Sequence, residues 1–285
     1  MNLRIDGCTT KNLTGFTRTD LLAALATLAL LGLLQATALG NNKETSRSGV
    51  CLSNLRRLGT AWTEFANDNN GTLSFNGWGS SSGWIPSGTV MDFNSTNTDN
   101  TNSYKLVGSP ASQLGPYSQN PKFYKCPSDQ SQVTMGTGEA ARLYPRVRSY
   151  SMSVAMDGDT DGGLDWVLPS PPYRTFHKIS DIVAPPQANA FVLIDEHANS
   201  IDDGIFALQM PGPTLSTARF QNLPAARHDG TGALSFADSH AELHFWRDPR
   251  TTPPESSDGV YLGDVSSPNN PDVRWLSDRT SSLGP

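Results

Sequence analysis

The sequence predicts an α+β protein: a long N-terminal helix followed by a head built on an antiparallel β-sheet. Three patterns predict it. Residues 21–40 carry no charged side chain and are dominated by leucine and alanine. Cys51, Leu55, Leu58, Trp62 and Phe65 recur at intervals of three or four, the period of one helix face. Farther on, short apolar runs are separated by turn residues, as in FVLI at 191–194 and in the alternating stretches either side of Asp238-Ser239. The 25 glycines and 20 prolines also favour turns, short strands and long connections over a helical bundle.

Taken in order, the chain before Asp20 carries Arg4, Lys11 and Arg18 against Asp6, and the uncharged run follows. Twenty helical residues reach about 30 Å, the thickness of a bilayer's hydrocarbon core, so 21–40 predicts one transmembrane helix with its basic end retained on the cytoplasmic side. Two other readings of this run stay open: a buried globular helix, and a secretory signal peptide cut after Ala36-Thr37-Ala38. The Cys51 to Phe65 stripe leaves Asn54, Arg57 and Glu64 for solvent and ends at Asn67-Asp68-Asn69-Asn70-Gly71, a turn-forming cluster. The stripe must be covered, and a sheet laid against this half of the helix would do so. GWGSSSGWIPSG and DFNSTNTDNTNS read as exposed loops. Phe191 to Ile194 reads as a buried strand, Ile205 to Leu208 as another, and 234–245 as a hairpin with polar groups at one end.

The net charge of -6 and pI near 5.3 provide no basic surface for a phosphate backbone, so no nucleic-acid partner is expected. Cys8, Cys51 and Cys126 are odd in number, and a cut between the first two leaves a pair. That pair is either a disulfide or two unrelated buried thiols. Asp157, Asp159 and Asp161 in DGDTDGG offer hard oxygen ligands to calcium, or simply form an acidic turn. Asp195, Glu196 and His197 fall at a strand end, and His228, Asp229, Asp238, His240 and His244 follow. Zinc on His197, His228 and His240, or water activated by an Asp-His pair, would make a metal-dependent hydrolase of this chain. The sequence has no HExxH, GxSxG, P-loop or Rossmann fingerprint.

The stretch GFTRTDLL resembles the processing site of type IV prepilins and type II secretion pseudopilins, with Arg18 and Thr19 departing from the usual apolar pair. CLSNLRRLGTAWTEFANDNNG, CPSD at 126–129 and YSMS at 150–153 resemble segments of the large pseudopilin-like families of planctomycetes and verrucomicrobia. So do DEHANSIDDG, which holds Asp195, Glu196 and His197, and the pairing of His228 with Asp238-Ser239, where Ser239 stands for the family's glycine. The resemblance implies a pilin-like lollipop: a leader over 1–15, a helix over 16–66 with its transmembrane part at 21–40, a loop-rich head over 67–250 and a Pro/Ser-rich tail over 251–285. It implies cleavage between Gly15 and Phe16 by a prepilin peptidase, N-methylation of Phe16, and Asp20 placed to meet the amine of a neighbouring subunit. It further implies a Cys51–Cys126 disulfide after export, no catalysis and no cofactor. On this reading the protein is a structural or minor subunit of a type IV pilus or type II secretion-like filament. Its partners are other pilin subunits and the inner membrane, which it crosses once, with the head in the periplasm or at the cell surface. The alternatives are a secreted or membrane-anchored metal-dependent hydrolase using the Asp/Glu/His residues, and a non-catalytic surface-binding protein.

Overall fold

In a computed structural model of the chain, residues 17–76, 82–86, 89–156, 173–212, 214–256 and 259–284 are described, with the helical backbone alone for 29–45. The chain divides into two compact units, Met1–Thr45 and Ser46–Pro285.

Helix α1 (Arg18–Asp68) starts in the first unit. Thr17 donates from its backbone N–H and its hydroxyl to Asp20 Oδ2 at 2.8 and 2.7 Å, and the Asp20 N–H donates to Thr17 Oγ1 at 3.2 Å. This reciprocal pair satisfies amides that a helix N-terminus otherwise leaves unpaired. The Thr17 hydrogen bonds hold the Asp20 carboxyl below the ordinary carboxylate range. Asp20 therefore has a local use at the helix start. The Gly15 and Phe16 processing site lies outside the described residues.

Among the described residues, no helix is long and apolar enough to cross a membrane. The distal half is amphipathic, bearing Arg47, Arg56, Arg57 and Glu64. This corrects the expected transmembrane helix over 21–40, and with it the pilin-like lollipop, the single-pass inner-membrane location and the inner membrane as partner.

The second unit is a mixed α+β fold of short helices and open sheets. Its further helices are α2 (Tyr104–Val107), α3 (Gly115–Ser118) and α4 (Pro271–Thr280). A hairpin pairs β1 (Gln132–Met135) with β2 (Arg142–Pro145). The main sheet uses β3 (Tyr150–Ser153), β4 (Phe191–Asp195), β5 (Ile205–Phe206), β8 (Thr231–Phe236) and β9 (Ala241–Phe245), in the order β5-β3-β4-β8-β9. Its β3 and β5 run parallel and the other pairs antiparallel, so the expected all-antiparallel head is corrected to a mixed sheet. β6 (Leu208–Gln209), β7 (Arg219–Phe220) and β10 (Val265–Ser266) form a small second sheet.

The α1 stripe is buried as its period requires. Cys51, Leu55, Leu58 and Trp62 share one core with Tyr150, Met152, Leu193 and Ala233. Leu234 and Phe236, alternating with Ala233 along β8, join Phe191, Ile194, Phe206 and Phe220 in a second core, where Val273 and Leu276 of α4 also pack. The main sheet is thus apolar on both faces, which is why all five residues of β4 are buried.

A buried cluster of thiol, carboxylate and imidazole

Four side chains from distant parts of the chain converge between α1 and the main sheet. Cys51 enters on the buried stripe of α1. Cys126 follows a short 3-10 turn, Pro121–Tyr124, and its N–H donates to Ser149 Oγ at 2.9 Å. Asp195 ends β4. His228 precedes β8 in the turn His228-Asp229-Gly230-Thr231, closed by the Thr231 N–H donating to the His228 carbonyl at 3.1 Å. Asp229 and Gly230 have φ of 53° and 82°, the pair of left-handed residues that an Asp-Gly hairpin turn supplies. This backbone geometry aims His228 at the cluster.

The ligand atoms of Cys51, Cys126, Asp195 and His228 all lie within 4.8 Å of one another. Cys51 and Cys126 are 0% exposed, Asp195 1% and His228 4%. Cys126 Sγ and His228 Nε2 are 3.2 Å apart, and the Tyr150 hydroxyl is 3.1 Å from Cys51 Sγ. Both cysteines are free thiols.

Arg227 backs the cluster. Its Nη1 donates to Asp195 Oδ1 at 2.6 Å, while Nη2 lies 2.6 Å from Glu255 and 3.7 Å from Asp129. Lys125 lies 3.4 Å from the other oxygen of Asp129. The Asp195 side chain is buried, and the Ser149 hydroxyl also acts on its carboxyl as a hydrogen-bonding partner.

Burial sets the electrostatics. It pushes the Cys126 thiol far above its ordinary range, with Cys51 and the Asp195 charge adding to the shift while His228 opposes it. It likewise raises Tyr150, and it raises Asp195 in spite of Arg227. Burial would raise Asp129 too, but Arg227, Lys125 and the Ser131 hydrogen bonds prevail and hold it low. Within the cluster, Cys126 and Asp195 therefore both favour their protonated forms.

The remaining sequence-predicted residues are elsewhere. His197 is locked as a neutral imidazole: Nδ1 accepts the Asn199 N–H at 3.1 Å and Nε2 donates to the Pro253 carbonyl at 3.0 Å. Burial lowers its pKa further. Glu196 is buried, accepts the Ser200 hydroxyl at 2.8 Å, and is pushed well above the usual carboxyl range by burial and then by Asp202. Asp238 and His240 pair at 2.5 Å at the far end of β8, in an exposed turn where Ser239 has φ of 69° and its hydroxyl lies 3.0 Å from that of Thr63. β8 separates this pair from His228, so the polar groups of the hairpin occupy both ends, and the trio His197, His228 and His240 does not assemble. Asp157, Asp159 and Asp161 lie outside the described residues.

The donor set suits a metal ion that takes mixed sulfur, nitrogen and oxygen ligands. Its residues fit a divalent cation: the spacing is short, all four are buried, and outer partners orient two of the four ligands.

No known protein family, curated protein or solved structure matches this chain. The prepilin resemblance is thus confined to short motifs. The expected filament subunit, with a prepilin peptidase and other pilins as partners, gives way to a compact domain holding a buried potential metal-binding cluster. The same cluster is suggestive of a metal-binding or catalytic site, which corrects the expectation of a non-catalytic head.

Proposed function

We propose that the unit Ser46–Pro285 is a zinc-binding domain in which Cys51, Cys126, Asp195 and His228 hold the metal. The convergence of donors carries the argument: Cys51, Cys126, Asp195 and His228, all buried, each bring one ligand atom within 4.8 Å of the other three. Sulfur and imidazole donors favour zinc over calcium or magnesium, which prefer all-oxygen sites. Two thiolates and one carboxylate round a divalent cation leave a single negative charge, which Arg227 at 2.6 Å offsets. Tyr150 then donates its O–H to the Cys51 thiolate. The four ligands come from α1, β4 and two turns, so metal binding contributes directly to folding.

A metal-dependent hydrolase is the second reading. It is favoured by a cavity of about 740 Å³ whose lining includes Cys126, Asp129, Lys122 and Lys125. In that reading Cys51, Cys126, Asp195 and His228 would hold the metal, which would supply an acidified water for hydrolysis. A Cys51–Cys126 disulfide is a competing use of the same sulfurs, since forming it consumes both thiolate ligands.

Metal content of the purified full-length protein, measured by inductively coupled plasma mass spectrometry, tests the reading. About one zinc per chain is expected, lost in Cys51→Ser and Cys126→Ser. Equal zinc in all three proteins would sink it. Ester or phosphoester hydrolysis that requires zinc and the intact ligand set would establish the second reading; no turnover over such a panel would dismiss it.

A further inference from the structure

A second cavity, of about 530 Å³, lies beside the β1–β2 hairpin. Side-chain alternation along β1 buries Val133 and turns Gln132 and Thr134 to the other face, where Leu143 of β2 stands opposite Thr134; these three line the cavity. Ala198, Glu255 and Ser256 supply another part of the wall. Asn199 pins that part, its Nδ2 donating to the Ser256 carbonyl at 2.9 Å and its Oδ1 accepting the Ser256 N–H at 2.8 Å. Behind the lining, the buried Arg146 guanidinium ties three wall residues together. Its Nε donates to Ser131 Oγ at 3.1 Å, its Nη2 donates to the Ala198 carbonyl at 2.5 Å, and its carbon sits 4.8 Å from the centre of the Phe93 ring. The cavity is thus shaped by contacts of the protein with itself, before any ligand arrives.

The lining decides the charge of the ligand. Glu255 is its one ionisable side chain, and Arg227 at 2.6 Å offsets it, so neither an anion nor a cation finds an uncompensated partner there. Hydrogen-bonding capacity is left over. The side chains of Gln130, Gln132 and Thr134 make no hydrogen bond to a described residue. Glu255 spends Oε1 on Arg227 and the Ala198 N–H, which leaves Oε2 to accept. A glutamine amide both donates and accepts, as does the Thr134 hydroxyl. Beside these groups stand the apolar surfaces of Phe93 and Leu143. A ligand matched to this lining is uncharged, carries several hydroxyls and keeps an apolar C–H face; a sugar ring has all three properties.

We propose that this cavity binds a neutral hexopyranose, free or as the end unit of a glycan, with its hydroxyls on Gln132, Thr134 and Glu255 Oε2 and a C–H face against Phe93. The proposal is independent of the metal site, because none of the four cluster ligands lines this cavity.

Isothermal titration of the full-length protein with glucose, galactose and mannose, with the disaccharides cellobiose and lactose, and with glucuronate and glucosamine tests it. Saturable binding of at least one neutral sugar is expected. A disaccharide that binds at least as tightly as its monosaccharides marks a glycan end, and a weaker one marks a free sugar. Glucuronate and glucosamine bring a charge the cavity does not need, and should bind no tighter than the best neutral sugar. Gln132→Ala and Thr134→Val, both at exposed positions, should each weaken that sugar about fivefold. Thr134→Ser keeps the hydroxyl and should bind as the wild type does. Should no neutral sugar saturate, should glucuronate or glucosamine bind tighter than the best neutral sugar, or should either Gln132→Ala or Thr134→Val leave the affinity unchanged, the proposal is overturned. Thermal unfolding measured on each variant separates loss of this cavity from loss of the fold.

Discussion

Arg227→Met removes one cation from a site that holds three carboxylates, and the structure sets the scale of the damage. Asp195 and Asp129 side chains are each 1% exposed and lie 2.6 and 3.7 Å from the guanidinium. Glu255, at 33% exposure, is screened by solvent and contributes little. Removing the partner of a buried charge costs about 3–5 kcal/mol, a large share of the 5–15 kcal/mol that a domain commonly has. Acid should shrink the deficit, and the sign follows from linkage. In the wild type the Asp129 carboxyl is held low, so its contribution is present above the unfolded-state pKa of about 3.8 and is lost as pH falls through the folded value. Asp195 is held high, so it costs stability as pH rises above that same unfolded value. Without Arg227 both carboxyls move upward, and the variant's penalty grows as pH rises from about 4 towards 7 and fades on acidification. Urea unfolding of metal-free wild type and variant at pH 7 and pH 5 measures this directly. A deficit below about 1 kcal/mol at pH 7, or one that grows at pH 5, would refute the assignment of Arg227 as the buried counterion.

Further outcomes follow from the same geometry. Because the Cys126 thiol is driven upward by burial, zinc uptake must release protons, and affinity measured by competition with a chromophoric chelator should fall steadily from pH 8 to pH 6. His197→Ala should leave zinc content unchanged while lowering stability by about 1–3 kcal/mol, since the imidazole is committed to Asn199 and Pro253; loss of zinc would put His197 back among the ligands. Gly232→Ala would place a Cβ 2.5 Å from the Trp246 ring, and thermal unfolding should show a loss of about 1–3 kcal/mol with the tryptophan displaced.

Much of the fold is legible in local periodicity. The three-four spacing from Cys51 to Phe65 marks a buried helix face because each turn must return an apolar residue to the same side, and FVLI marks a strand buried on both faces. The main sheet's parallel β3–β5 pair was not legible, because five short strands do not state their partners. The cluster was half visible. Cys51 and Cys126 stood out as a sulfur pair, and Asp195 and His228 stood out in motifs. Nothing in their spacing joins 51, 126, 195 and 228, since no two ligands fall within one local element. The Asp229-Gly230 turn was the available signal for the placement of His228. Arg227 gave none, because a buried arginine and a surface arginine read alike in sequence. The run from 21 to 40 misled because absence of charge reports only hydrophobicity. Asp20 before it is accounted for by a helix cap with Thr17, a signal that the Thr-x-x-Asp spacing already contained.

Zinc K-edge X-ray absorption on the purified full-length protein tests the central claim most directly, because it reads the identity of the ligands as well as the presence of the metal. The account predicts about one zinc per chain with two sulfur neighbours near 2.3 Å and two nitrogen or oxygen neighbours near 2.0 Å, one sulfur being lost in any metal retained by Cys51→Ser. A first shell without sulfur, or a protein that binds no zinc while both thiols remain reduced, would contradict it.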